Sequence, residues 1–195
     1  MKTTLKPTIF LPIAAVLTLG VAAVCAQDSV GVKMTFSGTS GSSANNLQQP
    51  NTTMDEDNFA GTGTLGSFTL RNLRAISNSP SPSATCAGTT EIYFLEQAGG
   101  GVFRFQDGSL LNLQLTQGSG DCIDLSSGQA NCTLKFQVIS GTGRFKSVTG
   151  GTLVLTEAVA TVISDASGNP VYFADTGEIT GTVSGVTGWQ AQGGQ

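Results

Sequence analysis

The feature that most constrains this sequence is an alternation of apolar and polar residues, which replaces helical periodicity after residue 26. Val30, Val32, Met34 and Phe36 show the alternation first. A period of two is typical of β-strands that bury one face. Glycine, threonine and serine together make up about a third of the 195 residues, and this composition favours strands and turns over helices. The chain is therefore predicted to be all-β.

Further strands are predicted near residues 67–76, 90–97, 101–106, 109–117, 133–140, 152–164 and 171–183. Turns rich in glycine or proline separate them, as at residues 166–170. About eight antiparallel strands joined by short turns predict a single antiparallel β-barrel, because up-and-down neighbours close easily. A β-sandwich is the alternative fold.

Residues 1–26 are predicted to be a cleavable secretory signal peptide. Two lysines precede an apolar run from Ile9 to Val24, and small residues flank a cut after Ala26. A membrane anchor is disfavoured because no basic stop-transfer flank follows. Lipidation at Cys25 is disfavoured because valine precedes it. The signal predicts a secreted or periplasmic protein with no stable membrane insertion after cleavage.

The remaining chain is predicted to form one barrel domain in three segments. Residues 27–58 would hold an N-terminal strand and, from Ser37 to Asn58, a long mobile loop of polar residues. Residues 59–185 would form the main body of the barrel. Residues 186–195 would be a frayed tail.

The chain contains no histidine and carries a net charge of −4. The absence of histidine excludes Ser-His-Asp and Cys-His catalytic units and histidine-ligated zinc, and it argues against an enzyme. No cofactor and no metal site are predicted. An acidic chain without a basic cluster is also a poor candidate for binding nucleic acid, because neutralisation of phosphates dominates that affinity.

Three cysteines follow the signal segment. Cys122 and Cys132 flank a polar loop between two predicted strands, and a Cys122–Cys132 disulfide is predicted across it. The alternative is that both are unrelated small residues. Cys86 would then lack a partner in the mature chain, and it would be either buried and inert or paired between molecules.

The most specific segment is Ser140–Leu153, with the sequence SGTGRFKSVTGGTL. Glycine-rich bends flank Arg144 and Phe145, which predicts that Phe145 turns into the core. The segment resembles the GGTGRF stretch of secreted bacterial β-proteins and of the allene oxide cyclase and dirigent-type barrels. The turn at residues 105–110, FQDGSL, resembles the motif that precedes this stretch in the bacterial sequences.

This resemblance implies a β-barrel over roughly residues 60–190. Ser140 stands where those proteins have glycine, and residues 146–148 replace small residues after Arg-Phe. The catalytic constellation of a plant cyclase is absent from the sequence. The resemblance therefore implies the fold and says little about chemistry.

Ionisable residues within the apolar alternation are the candidate ligand-binding residues, namely Arg74, Glu91, Tyr93, Arg104 and Glu157. Glu157 shares a strand face with leucines and valine. If that face points inward, the carboxylate needs a cation, hydrogen bonds or a proton. Arg74 or Arg104 is the predicted partner. A structural ion pair is the commoner explanation, and a ligand-orienting or acid–base role is the alternative.

The sequence thus favours a secreted or periplasmic, non-catalytic β-barrel that binds a small, mainly apolar ligand or serves at the cell envelope. One alternative is a cyclase or isomerase that acts on an apolar substrate in the barrel cavity. A second alternative is a structural surface or matrix protein. An internal cavity would distinguish the ligand hypotheses from the structural one.

Overall fold

A computed structural model describes residues 29–82 and 86–188 of the chain. The described residues form nine strands, β1 (Ser29–Ser42), β2 (Thr52–Gly63), β3 (Phe68–Pro80), β4 (Glu91–Phe105), β5 (Leu110–Leu115), β6 (Gly120–Asp124), β7 (Gln129–Gly141), β8 (Gly150–Ser164) and β9 (Pro170–Ser184), with a short 3-10 helix at Gly143–Phe145. None of the helical segments in these ranges is long and apolar enough to cross a membrane. The predicted signal peptide and the tail beyond residue 188 lie outside the described residues.

The strands close into an antiparallel β-barrel. Eight of them, in the order β1, β2, β3, β4, β5, β7, β8 and β9, form a circuit that the pairing of β9 with β1 completes. The ninth strand, β6, is additional to this circuit and pairs with the same two neighbours as β5, at the other ends of β4 and β7. On β4, residues 100–104 pair with β5 and residues 91–95 pair with β6. The predicted all-β barrel is confirmed, and the sandwich alternative is wrong.

The polar stretch predicted to be a mobile loop is mostly strand. β1 continues to Ser42 and β2 begins at Thr52, so residues 43–51 alone connect them. Buried residues continue through this stretch, but two of them, Ser40 and Asp57, are polar. The loop prediction was wrong because a strand with polar residues on its buried face does not show an apolar alternation.

One half of the barrel interior is filled by aromatic and aliphatic side chains. Phe68 lies edge-on to Phe103 and tilted to Phe105, Phe103 and Phe105 are stacked, and the ring centroids are 5.1–6.3 Å apart. Phe145 is fully buried and packs against Phe105 at 4.9 Å. Aromatic pairs of this geometry add to the stabilisation that burial provides. The prediction that Phe145 turns into the core is confirmed.

Arg144 packs beside this aromatic half from the 3-10 helix. Its guanidinium lies 4.7 Å from the ring centre of Phe105 and 4.8 Å from that of Phe145. It also donates a hydrogen bond to the carbonyl of Leu65 and lies 3.5 Å from the carboxylate of Asp107. The Arg-Phe pair of the GTGRF segment therefore helps to close this end of the barrel.

A row of directly opposed residues marks where the filled half ends. Phe36 lies opposite Gly177, which lies opposite Glu157, which in turn lies opposite Cys132. A Cβ at Gly177 would lie 2.7 Å from the Phe36 ring, so glycine leaves room for that ring. From this row onward, ionisable side chains join the apolar residues on the inward faces.

Candidate functional site

The inward faces of six strands bring together ionisable side chains that we call the acidic layer. Its members are Asp57, Arg74, Glu96, Asp121, Glu157 and Asp175, from β2, β3, β4, β6, β8 and β9 respectively. Each is at most 4% exposed. Charged residues are almost never buried to this degree unless they are paired. Four of its five carboxylates contact the one guanidinium, and the fifth, Asp175, does not.

Arg74 lies at the centre of the acidic layer. Its Nη1 donates to Oε1 of Glu96 at 2.8 Å and to both oxygens of Asp121 at 3.2 Å. Its Nε donates to Asp57, with the closest approach at 3.1 Å. Its Nη2 lies 3.5 Å from Oε1 of Glu157. The predicted proximity of Glu157 and Arg74 is thus present, and three further carboxylates join it.

The hydrogen bonding of the acidic layer is incomplete. Asp57 also accepts a hydrogen bond from the side chain of Asn72 at 2.9 Å, and Asp175 accepts one from Ser40 at 3.1 Å. However, neither oxygen of Glu157 accepts a hydrogen bond, and one oxygen of Glu96 and one of Asp175 also lack a donor. Buried polar atoms without a partner are costly and call for an explanation.

Burial raises the pKa of four carboxyl groups in the acidic layer. It raises the pKa of Glu157 and of Glu96 well above the usual glutamate value, and the attraction of Arg74 offsets this only in part. Burial likewise raises the pKa of Asp57, and it raises that of Asp175 to about 6. Although burial opposes it, the surrounding carboxylates raise the pKa of Arg74 well above its usual value. The layer therefore keeps a permanent cation and holds protons that exposed carboxylates would have lost.

A cavity of about 300 Å³ opens above the acidic layer. Its floor includes Ser40, Arg74 and Asp121, and Asp55 lies at its side. The walls are mainly apolar and are formed by Ile76, Ile123, Leu125, Ala130, Val159, Pro170 and Phe173. A cleft with apolar walls and a few convergent polar groups is the usual form of a small-molecule site, and this volume is at the lower end of the range for such sites.

Cys132 lies at the cavity wall as a buried free thiol. Burial raises the pKa of this thiol well above its usual value, and the charges of Asp121 and Glu157 raise it further. Because the thiolate is the nucleophilic form, Cys132 is an unreactive small side chain at this position.

The structure separates the five predicted ligand-binding residues into two groups. Arg74 and Glu157 lie inside the barrel, but Arg104 is exposed on the outer face because it alternates with the buried Phe103 and Phe105. The prediction that Arg104 is an interior partner of Glu157 is therefore wrong.

Glu91 and Tyr93 also lie on the outer side of the barrel. A register shift opposite β4, between Ala75 and Ile76, reverses the inward face of the strand, so Glu96 points inward. Tyr93 donates to the carbonyl of Ser119, and Glu91 accepts a hydrogen bond from the side chain of Asn131. The structure brings neither residue to the cavity.

The predicted Cys122–Cys132 disulfide is wrong. Cys122 is bonded to Cys86, with the two Cα atoms 5.5 Å apart. In the β6–β7 ladder Cys132 lies opposite Asp121, and Cys122 lies opposite Asn131. Because adjacent residues of a strand face opposite sides of the sheet, Cys132 points inward and Cys122 points outward. Cys86 therefore has the partner that the sequence did not assign to it.

Among the described residues, one group of potential metal ligands lies at the disulfide. Three potential ligand atoms gather within 4.8 Å of one another at Cys86, Glu91 and Cys122. The two sulfurs there are bonded to each other, so neither is a thiolate that could bind a metal.

Sequence reasoning missed Asp57, Glu96, Asp121 and Asp175. A usable signal existed for two of them. Asp57 alternates with Phe59, and Asp175 alternates with Ile179 through Gly177. No local signal marked Glu96, because the register shift on β4 that turns it inward is a tertiary feature.

No protein-family model matches the chain, and no curated protein shows significant sequence similarity to it. The fold and the site define the protein's class as an eight-stranded antiparallel β-barrel with a buried aromatic cluster in one half and an acidic layer in the other.

Proposed function

We propose that the protein is a non-catalytic binding barrel that takes a small, mainly apolar molecule into the cavity above the acidic layer. The observation that carries this proposal is the contrast between the two halves of the barrel. Twelve large apolar side chains, among them Phe103, Phe136 and Phe145, are buried to below 2% exposure, yet a cavity of about 300 Å³ remains at the other end. Eight-stranded barrels either fill their interior or hold one ligand, and the second use requires such a space.

The cavity walls support an apolar ligand body. Val159 and Ala130 face each other across the β7–β8 pair, and Phe173 and Ile123 line the same space. A ligand of about ten non-hydrogen atoms fits this volume at roughly 30 Å³ per atom, the share that a water molecule takes in the liquid. Removal of such apolar surface from water stabilises a complex by about 25 cal/mol per Å².

We propose that this barrel acts in an oxidising compartment, as a secreted or periplasmic protein. The Cys86–Cys122 disulfide supports the proposal, because such bonds persist outside the reducing cytosol. A relation to the allene oxide cyclase and dirigent-type barrels is part of the same proposal. The barrel fold and the position of Arg144 and Phe145 at its closed end support it.

Native mass spectrometry of the protein purified from its source tests the binding function. We expect a retained small molecule that is lost on denaturation. The Ala130→Phe variant should abolish retention, because its side chain points into the cavity and the added ring would fill it. Ile139→Phe is the matched control, since Ile139 is 54% exposed on the outer face of the same strand.

Two outcomes would contradict the proposal. The first is equal retention by the Ala130→Phe variant, which would place the molecule elsewhere. The second is the absence of any retained mass together with the absence of chemical-shift changes at Val159 and Phe173 when 2-phenylethanol is titrated into the protein. That result would leave a structural role for the barrel.

A further inference from the structure

The floor of the cavity and the acidic layer beneath it carry many more acidic groups than basic ones. The titratable groups that line the cavity or lie in the acidic layer beneath it come from seven strands. They are Asp55 and Asp57 on β2, Arg74 on β3, Glu96 on β4, Asp121 on β6, Cys132 on β7, Glu157 on β8 and Asp175 on β9. One of these groups is a cation. The floor therefore attracts positive charge and repels anions.

Several carboxylate oxygens of the acidic layer beneath the cavity lack a hydrogen-bond donor. Glu157 lies on the inward face between the core residue Leu155 and the cavity-wall residue Val159, and both of its oxygens lack a hydrogen-bond donor. Asp175 has one oxygen without a donor, and the other is bound by Ser40, which lines the cavity. Both side chains are more than nine-tenths buried. Unfilled acceptors in the acidic layer, next to a cavity that Asp55 and Asp121 line, favour a ligand that brings a hydrogen-bond donor.

Arg74 does not complete a hydrogen bond to either oxygen of Glu157. Its Nε and Nη1 contact other carboxylates of the acidic layer, and its Nη2 comes no closer than 3.5 Å to Oε1 of Glu157. An anionic ligand would have to displace these contacts and face five carboxylates. A bare metal ion is also disfavoured, because among the described residues the carboxylates of the layer do not gather three ligand atoms within 4.8 Å of one another. They surround the guanidinium instead.

We propose that the ligand of the cavity is an amphipathic amine, whose ammonium group binds at the acidic floor and whose apolar body lies against the walls. The inference rests on the proposed binding function and names its ligand class. An ammonium is compact and carries three hydrogen-bond donors and no acceptor. Asp121 and Asp55 line the cavity and offer carboxylate oxygens to it, and Glu157 and Asp175 belong to the acidic layer below. No covalent step is involved.

Binding of the amine changes the protonation of the buried carboxyl groups near the cavity. Carboxyl groups that hold protons because they are buried lose them when an ammonium arrives, since the new positive charge favours their ionised form. Binding should therefore release protons and strengthen as the pH rises.

A matched pair of probes tests the inference. Isothermal titration calorimetry would compare 2-phenylethylamine with 2-phenylethanol, which has the same size and apolar body. At about pH 8 we expect the amine to bind about tenfold more tightly than the alcohol, as one charge-assisted hydrogen bond would produce. Lowering the pH to about 5 should weaken the affinity for the amine by a similar factor and leave the affinity for the alcohol unchanged.

Two variants locate the effect. Asp121→Asn removes a floor carboxylate, and Asp55→Asn removes one at the cavity side that belongs to none of the ion pairs of Arg74, so it should fold normally. Each variant should bind 2-phenylethylamine about tenfold more weakly and bind 2-phenylethanol with unchanged affinity. Asp107→Asn, at the opposite end of the barrel beside Arg144, is the control and should change neither.

The outcomes separate the inference from the proposed function. If the alcohol binds as tightly as the amine, the binding function stands and the inference is wrong. If 3-phenylpropionate binds best, the floor takes anions and the inference is wrong. If none of the three binds, both the proposed function and the inference fail.

Discussion

Arg74 on β3 and Glu96 on β4 are joined by a 2.8 Å hydrogen bond next to a register shift in the strand pair that carries them. The shift turns Glu96 inward and completes the ring of carboxylates around the guanidinium. Removal of one partner from a buried ion pair is usually more destabilising than the pair itself is stabilising, because it leaves uncompensated charge.

Replacement of Arg74 by methionine should therefore strongly destabilise the barrel. At neutral pH we expect the free energy of unfolding to fall by about 3 kcal/mol or more. The loss should shrink as the pH is lowered, since protonation neutralises the carboxylates that Arg74 now balances. Urea denaturation at several pH values measures both effects. Arg71→Met is the control, because this exposed arginine pairs with Glu56 on the outer face and should contribute less than about 1 kcal/mol.

The raised pKa of Asp175 predicts a specific pH dependence of stability. In the unfolded chain this carboxyl loses its proton near pH 3.8, whereas in the folded protein it holds the proton to about pH 6. The folded state thus binds more protons in that window, so its stability should fall as the pH rises from about 4 to about 6 and then level off. Asp175→Asn should remove part of this slope, measured by chemical denaturation across the range.

Asp165 provides the opposite case for comparison. Hydrogen bonds from Asn169 and from backbone groups of the β8–β9 turn lower the pKa of Asp165. Its carboxylate stabilises the fold above the unfolded pKa, so Asp165→Asn should reduce stability at neutral pH. An Asp175→Asn profile with the wild-type slope would show that the Asp175 assignment is wrong.

The disulfide assignment predicts distinct behaviour for the three cysteines. Peptide mapping without reduction should link Cys86 to Cys122. Cys132 should resist alkylation in the native protein and react after denaturation, because it is buried and un-ionised. Loss of a cross-link spanning 36 residues should cost about 4 kcal/mol in the Cys86→Ser/Cys122→Ser double variant by the chain-entropy estimate. A linked Cys122–Cys132 peptide would overturn this assignment.

Phe145 should be the most sensitive residue of the GTGRF segment. It is fully buried against Phe105, and Phe145→Ala would leave a cavity in the aromatic half. We expect a loss of about 3–5 kcal/mol in the free energy of unfolding. Tyr172→Ala, at a residue that is 41% exposed, should change stability by less than about 0.5 kcal/mol. A small effect at Phe145 would mean that the segment does not close the barrel.

The sequence predicted the barrel because most of its strands bury apolar residues at every second position, as in Val32, Met34 and Phe36. It predicted the interior placement of Arg74 and Glu157 for the same reason. It failed on β2, where the buried face carries aspartates, and on β4, where a register shift exchanges the two faces. Local patterns report which residues alternate. They do not report which of two polar faces the closed barrel will enclose.

The acidic layer was therefore only partly predictable. Glu157 stood out because its neighbours on the same strand face are leucine and valine. Asp121 lies on a five-residue strand with too few apolar residues to show which face points inward. The prediction of a Cys122–Cys132 disulfide was wrong for a related reason. A shift of one residue in the β6–β7 register decides whether two cysteines share a face, and the spacing of cysteines along the chain carries no information about that shift.

The pairing of β1 with β9 has a consequence for how the molecule forms. Residues 29–41 of the first strand meet residues 172–184 of the last, so the ring cannot be sealed until nearly the whole described chain is available. Until then both strands present open edges that can pair with other chains. Contacts this distant along the sequence also slow folding. Because the barrel closes late, a protein of this topology benefits from a factor that shields these edges during folding.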